Sequence, residues 1–156
     1  MERTIGLGEI VVSNCLDDVL KTYALSSCVG VTVYSQSKRV AGMAHIVLPT
    51  PYENIEEVAQ PAYYATKGVP LLINHVCHEY GWLKKDLSIN LFGGADSKKA
   101  NDVFMVGRRN LTMVKQILEY MKLNYQLVDT GGNQSRTIEM DVFSGKIKVT
   151  RRPLRN

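Results

Sequence analysis

Two side chains in this sequence, the thiol of Cys28 and the imidazole of His45, have the chemistry of a nucleophile and its base. A cysteine attacks carbonyl carbon as a thiolate, and a histidine within hydrogen-bonding distance can take up the thiol proton. Cys28 and His45 are the one Cys/His pair in the chain that strand geometry can bring together. Both residue types are also common in buried strands, so a purely structural role remains an open alternative.

The segment that carries both residues is predicted to be a β-hairpin. Valines alternate with smaller or polar residues from Val29 to Val33, a polar segment follows, and the chain becomes apolar again up to Leu48. If the turn is centred between residues 36 and 37, Cys28 lies directly opposite His45. Directly paired residues have Cβ atoms about 4.5–5.5 Å apart, which would place the thiol beside the imidazole. A three-residue or five-residue loop would separate them.

Five short blocks of the sequence resemble one known family, the CheD chemoreceptor glutamine deamidases. They occur in family order and spacing: L-S-S-C-V-G-V-T-V-Y at 25–34, A-G-M-A-H-I-V-L-P at 41–49, L-F-G-G-A at 91–95, G-R-R-N at 107–110 and D-T-G-G at 129–132. Where the family often has glycine, as in L-G-S-C, this chain has Ser26. The resemblance implies hydrolysis of selected glutamine side chains of methyl-accepting chemotaxis receptors to glutamate.

The same resemblance assigns roles to individual residues. It implies a catalytic set of Cys28, His45 and Thr22, in which the Thr22 hydroxyl orients the imidazole; without the family, Thr22 is simply a β-branched residue at the start of a strand. An imidazolium beside the thiol would lower the pKa of Cys28. Attack on the amide would form a thioester, and backbone N–H groups near Ser27-Cys28 would bind the oxyanion, with Ser26 and Ser27 as the predicted oxyanion- or substrate-binding residues.

Family members also bind the phosphatase CheC and stimulate its action on phosphorylated CheY. The resemblance therefore implies two partners for this chain, the cytoplasmic helical region of chemoreceptors and a CheC phosphatase. A non-catalytic adaptor protein of the chemotaxis pathway is the alternative function, since a chain could keep the second role with an inactive site.

Composition supports a single cytoplasmic domain spanning residues 1–156. The chain is 45% hydrophobic and 22% charged, with no apolar run near the roughly 20 residues of a membrane span. Residues 1–96 hold 7 Lys/Arg against 10 Asp/Glu, whereas residues 97–156 hold 12 against 5. Since no nucleic-acid-binding motif accompanies the basic half, we predict a solvated basic face and no nucleic-acid partner, with an acidic protein partner as the alternative.

Two other motifs in the sequence contain residue types that can carry chemistry. His75 and His78 share one face of a predicted helix but have no evident further ligands, so we predict neither a metal site nor any cofactor. Asp129-Thr130-Gly131 resembles the aspartic protease signature, which is the second enzymatic hypothesis and would require a dimer.

The remaining pattern predicts strands separated by two substantial helices, and hence an α+β fold with mostly antiparallel sheets. One helix is predicted to start at Pro61, break near Gly68 and end at Gly81; Asn110 is predicted to cap the other. The polar segment after Pro51 is predicted to be a loop. The family resemblance implies more specifically a three-layer α/β/β sandwich.

Overall fold

The computed structural model describes residues 1–51, 60–81, 84–96 and 105–154, which form nine strands and two α-helices. The polar segment predicted as a loop lies, from residue 52 to residue 59, outside the described residues. In chain order the elements are β1 (Glu2–Thr4), β2 (Ile10–Ser13), β3 (Val19–Leu25), β4 (Val29–Ser35), β5 (Val40–Ile46), α1 (Ala65–Tyr80), a short 3₁₀ turn (Lys84–Asp86), β6 (Ser88–Gly93), α2 (Val106–Tyr120), β7 (Gln126–Thr130), β8 (Gln134–Asp141) and β9 (Ile147–Pro153).

The strands form two mixed sheets, and this confirms the α+β sandwich. One sheet has the order β2-β5-β4-β6-β7 and the other β1-β3-β8-β9; the pairings are antiparallel except β1 with β3 and β6 with β7. Buried residues of both helices pack on one face of the five-stranded sheet, and a second apolar cluster fills the space between the sheets. The layers are therefore helices, five-stranded sheet and four-stranded sheet, which is the α/β/β order.

The β4–β5 hairpin forms, but the predicted register is wrong. The strand continues to Ser35, which pairs with Val40, so the turn is centred one residue later than predicted. Arg39 closes this turn with a φ of 51°, and the Ser35 hydroxyl accepts a hydrogen bond from the Lys38 N–H at 3.2 Å. Since a non-glycine residue with positive φ is uncommon, the strand pattern gave no sign of this turn.

The corrected register places Gly30, not Cys28, directly opposite His45. Cys28 precedes β4 and lies two residues before Gly30. Its side chain is therefore on the same face of the sheet as the side chain of His45, but diagonally across from it and not directly opposite. Diagonal neighbours on a sheet have Cβ atoms about 7–8 Å apart, a separation that long and aromatic side chains can span. Cys28 packs against the cluster between the two sheets, which agrees with this placement.

The helices also differ from their predicted bounds. Helix α1 begins at Ala65, not at Pro61, and runs without the predicted break through Gly68 and Pro70. Gly68 lies close to Ala62 and the side chain of Ile46, and a Cβ there would lie 2.7–2.8 Å from them. Gly81 ends it in a left-handed conformation, as predicted. Helix α2 begins at Val106, so Asn110 lies inside the helix and does not cap it.

Candidate active site

The imidazole of His45 is held from the opposite sheet. Its Nδ1 lies 2.7 Å from the hydroxyl of Thr22, which belongs to β3, and both side chains are buried. The Thr22 hydroxyl is also 2.7 Å from the backbone carbonyl of Ile5. The parallel pairing of β1 with β3 places Ile5 there, since Thr4 pairs with Lys21, the residue before Thr22.

This arrangement determines which ring nitrogen of His45 carries the proton. A carbonyl oxygen can only accept, so the single hydroxyl proton of Thr22 is donated to Ile5. The Thr22 oxygen is then an acceptor for Nδ1–H of His45, and Nε2 keeps a free lone pair. Nε2 is buried and has no hydrogen-bond partner among the described residues. The geometry therefore presents an unoccupied basic nitrogen in the layer between the sheets.

Burial keeps this base uncharged. Desolvation lowers the pKa of His45 from 6.5 to about 4, because an imidazolium in the apolar layer would lose its hydration. At neutral pH the ring is consequently neutral, with its proton on Nδ1.

The thiol of Cys28 is uncharged as well. Burial raises the pKa of Cys28 from 9.0 to about 11, and within the described residues no charged group offsets this effect. The expectation that an imidazolium lowers the pKa of this thiol is thus wrong for the resting state. Since Nε2 of His45 has no partner among the described residues, the thiol is not hydrogen-bonded to it. Catalytic hydrogen bonds often tighten only when substrate binds.

The backbone of the Ser26-Ser27-Cys28 loop is fixed by three hydrogen bonds to successive carbonyl groups. The Ser26 carbonyl accepts from the Ala95 N–H at 2.7 Å, and the Cys28 carbonyl accepts from the Gly94 N–H at 2.9 Å. The carbonyl between them, that of Ser27, accepts from the side-chain amide of Asn110 at 2.9 Å. The loop is therefore held on its carbonyl side by the G-G-A and G-R-R-N segments.

Glycines make this close packing possible at two points. Gly93 has a φ of 93°, and a Cβ there would lie 2.2 Å from the Cys28 carbonyl oxygen. A Cβ on Gly107 would lie 1.9 Å from the carbonyl oxygen of Ala95. Side chains at either position would push the loop that carries the thiol away from its supports.

A bulge next to Thr22 directs the chain from β3 into this loop. The pairing of β3 with β8 shifts between Thr22 and Leu25, and Ala24 has a φ of 54°. The N–H of Ala24 is bound by the hydroxyl of Thr137 at 3.2 Å. Bulges of this kind re-aim side chains near functional sites.

Asp129 is engaged in ion pairs. Its carboxylate lies 3.0 Å from Nε of the buried Arg136 and also contacts Arg151. Both guanidinium groups contact this carboxylate, whereas the aspartic protease hypothesis requires it to face a second aspartate, so these contacts argue against that hypothesis.

The sequence predicts Cys28, His45, Thr22, Ser26 and Ser27 as site residues, and the structure places two further groups beside them. The Ile5 carbonyl gave no signal, because a backbone group has no residue-type signature. Asn110 stood in the G-R-R-N block and was interpreted as a helix cap.

Comparison with known proteins identifies the family to which the chain is similar. A family model described as CheD chemotactic sensory transduction matches residues 47–151. A protein of Syntrophotalea carbinolica, named probable chemoreceptor glutamine deamidase CheD, is 38% identical over 94% of this chain and 91% of its own length. Proteins of the same name from Desulforamulus reducens and Thermococcus kodakarensis are 38% and 34% identical, over 95% and 96% of this chain and 89% and 92% of their own lengths.

The chain thus belongs to the CheD family. The family-model match begins after the three candidate catalytic residues, whereas the full-length relatives align over nearly the whole chain. Neither helix in the described part of the chain is both long and apolar enough to span a membrane.

Proposed function

We propose that this protein hydrolyses glutamine side chains of methyl-accepting chemotaxis receptors to glutamate and ammonia, with Cys28 as nucleophile, His45 as base and Thr22 as the group that orients the base. The observation that carries the proposal is the buried lone pair on Nε2 of His45, which the Ile5–Thr22 hydrogen bonds leave free on the face shared with Cys28. The names of its relatives supply the substrate class.

The first half of the reaction forms a thioester. Because thiol and imidazole are both neutral at rest, the proton leaves Cys28 for Nε2 of His45 as sulfur attacks the carboxamide carbon. The carbonyl π electrons move to oxygen, giving a tetrahedral oxyanion. When it collapses, the C–N bond breaks and the proton on Nε2 passes to the departing nitrogen, which leaves as ammonia.

The second half regenerates the enzyme. Nε2 of His45 takes a proton from water as the water oxygen attacks the thioester carbon. Collapse of this second tetrahedral species breaks the C–S bond, and the proton returns to the Cys28 sulfur. The products are a glutamate side chain and the neutral thiol with which the cycle began.

Burial of the charged intermediate has a direct consequence for rate. An imidazolium must exist transiently in a layer that lowers the pKa of His45 to about 4, and a neutral threonine stabilises it less than a carboxylate would. We therefore expect slow turnover, suited to adjusting receptors.

Ammonia release separates this proposal from the adaptor alternative. Purified receptor cytoplasmic domain is incubated with the wild-type chain, Cys28→Ala, and a Cys15→Ser/Cys77→Ser double variant. We expect release from the wild type and the double variant and none from Cys28→Ala. An adaptor would release no ammonia in any of the three reactions.

We also propose a CheC-type phosphatase as a second partner that competes with the receptor, and a cytoplasmic location for both interactions. The family resemblance supports this part of the proposal, and a groove that accepts a receptor helix could accept a partner helix with a similar polar side chain. Addition of the partner should raise the apparent KM for receptor without lowering kcat. Unchanged kinetics at saturating partner would mean separate surfaces.

A further inference from the structure

We infer that Asn110 is a positioning residue that directs the backbone N–H of Cys28 into the site as a donor to the oxyanion. The inference rests on the proposed function, since it concerns the tetrahedral species formed at the same cysteine. It assigns Asn110 to the reaction although this side chain lies in helix α2 and outside the Cys28–His45–Thr22 set.

The contacts of Asn110 fix the orientation of its side-chain amide. The residue is completely buried, and its Nδ2 donates to the carbonyl of Ser27 at 2.9 Å and to the carbonyl of Val47 at 2.8 Å. Both partners are acceptors, so the amide nitrogen must face them. One acceptor immediately precedes the nucleophile, and the other lies two residues after His45. Asn110 thereby joins the loop that carries the thiol to the strand that carries the base.

The first of these bonds sets the direction of the Cys28 N–H. The described part of the chain contains no cis peptide bond, and in a planar trans peptide the C=O and the following N–H point in opposite directions. With the Ser27 carbonyl directed at Asn110, the N–H of Cys28 is directed away from helix α2. Within the described residues, this N–H donates to no backbone acceptor. It is therefore available to an oxygen anion that forms on the carbon attacked by the sulfur of the same residue.

Among the described residues, Asn110 is the one side chain that supports this part of the loop. The neighbouring carbonyls of Ser26 and Cys28 are held by backbone N–H groups of Ala95 and Gly94, which substitution leaves in place. In the described part of the chain, the peptide between Ser27 and Cys28 is the one whose carbonyl is held by a side chain. Removing the amide of Asn110 should therefore release this peptide selectively.

Within the described ranges, the side-chain oxygen of Asn110 is left unpaired by the orientation that allows its nitrogen to donate two hydrogen bonds. With Nδ2 turned toward the carbonyls, Oδ1 of Asn110 is buried without a partner among the described residues. A buried unpaired acceptor costs free energy, and such groups in folded proteins call for an explanation. Orientation of the Cys28 N–H supplies one, because the benefit appears in the transition state and not in the folded ground state.

The test separates oxyanion stabilisation from simple loss of structure. In a background with Cys15→Ser and Cys77→Ser, so that Cys28 is the sole thiol, we compare Asn110→Ala, Asn110→Asp and the exposed-amide control Asn74→Ala. Asn110→Asp keeps the volume but replaces the NH₂ donors by oxygen. Two rates are measured for each: kcat for receptor deamidation, and the rate of Cys28 alkylation by iodoacetamide, a reaction that forms no oxyanion.

We expect both Asn110 variants to lose about 10- to 100-fold in kcat, approaching the loss seen when one oxyanion donor is removed, with alkylation within about threefold of the parent. Asn74→Ala should match the parent in both rates. A kcat within twofold of the parent in both Asn110 variants would overturn the inference, and so would an equal loss of kcat and alkylation rate. Thermal unfolding shows which variants are folded. If Asn110→Ala does not fold, the comparison of rates is made with Asn110→Asp.

A separate arm keeps this result distinct from the proposed function. Acylation of Cys28 by p-nitrophenyl acetate also passes through a tetrahedral oxyanion but needs no receptor. If the parent fails to deamidate receptors, the proposed function is wrong, and the Asn110 variants are then compared by nitrophenolate release. A loss of at least about fivefold in acylation, with alkylation retained, upholds the inference, and a smaller loss overturns it.

Discussion

Acidification should destabilise this protein through His45 well before its carboxylates are protonated. In the unfolded chain the imidazole has a pKa of 6.5, and in the folded protein burial lowers this pKa to about 4. Between these values the unfolded chain binds a proton that the folded protein excludes. The contribution of the neutral ring to stability is thus fully present above pH 6.5 and is lost as the pH falls toward 4.

The magnitude follows from the two pKa values. Each pKa unit corresponds to about 1.4 kcal/mol, so the full difference amounts to about 3 kcal/mol, of which about 2 kcal/mol is lost by roughly pH 5. Asp18 acts in a lower range: the hydrogen bond from Ser13 holds its pKa below 3.8, so the stability it supplies is lost only below that pH.

Urea unfolding at about pH 7, 6 and 5 measures this loss. The matched variants are His45→Asn, whose amide can donate to Thr22 as Nδ1 does, and His78→Gln, which removes an exposed histidine. The wild type and His78→Gln should lose about 2 kcal/mol between about pH 7 and 5, and His45→Asn should lose little. If His45→Asn loses as much as the wild type over this range, His45 is not held neutral by burial and the account of the resting state is wrong.

Three further predictions test the supports of the site. Thr22→Val should lower kcat by about 10²-fold with little change in KM, because the His45 Nδ1–H and the Ile5 carbonyl both lose their hydrogen-bond partner. Thr22→Ser keeps the hydroxyl and should retain most activity. A rise in KM alone would indicate that Thr22 contacts the substrate instead. Alkylation of Cys28, as the sole thiol, should accelerate with pH up to about 11 in the folded protein but level off near 9.0 in urea, and coincident profiles would refute the buried neutral thiol. Gly93→Ala should reduce kcat at least about tenfold more than Gly131→Ala. Both glycines have a positive φ, but of these two only Gly93 would bring a Cβ against the Cys28 carbonyl. Equal losses of kcat would assign the effect to backbone strain.

Residue types led to a prediction of the chemistry of the site, whereas the geometry of the site required the structure. Cys28 and His45 were predicted to be a nucleophile and base because few other side chains serve in these roles. The predicted direct pairing failed at Arg39, whose left-handed conformation moved the turn by one residue. Strand alternation still kept Cys28 on the face of His45, because the error changed the pairing by two residues and a shift of two preserves the face.

The contributors that sequence could not reveal act through the backbone or across long separations. The Ile5 carbonyl matters through its position beside β3, which depends on a parallel pairing that no local pattern encodes. Asn110 was predicted to cap α2 because asparagine favours caps, but tertiary contacts with the loop at Ser27 placed it inside the helix. The three-layer arrangement likewise came from family resemblance and not from the strand pattern, since pattern identifies strands without stating which sheet each one joins.

The most direct measurement is mass spectrometry of a chemoreceptor cytoplasmic domain after incubation with the protein in ordinary and in oxygen-18 water. Hydrolysis through Cys28 predicts that particular glutamine peptides gain about one dalton in ordinary water and about three daltons in heavy-oxygen water, because the new carboxylate oxygen comes from solvent. The Cys28→Ala variant should leave the same peptides unchanged. Peptides unchanged by the wild-type protein, or modified equally by Cys28→Ala, would contradict the account.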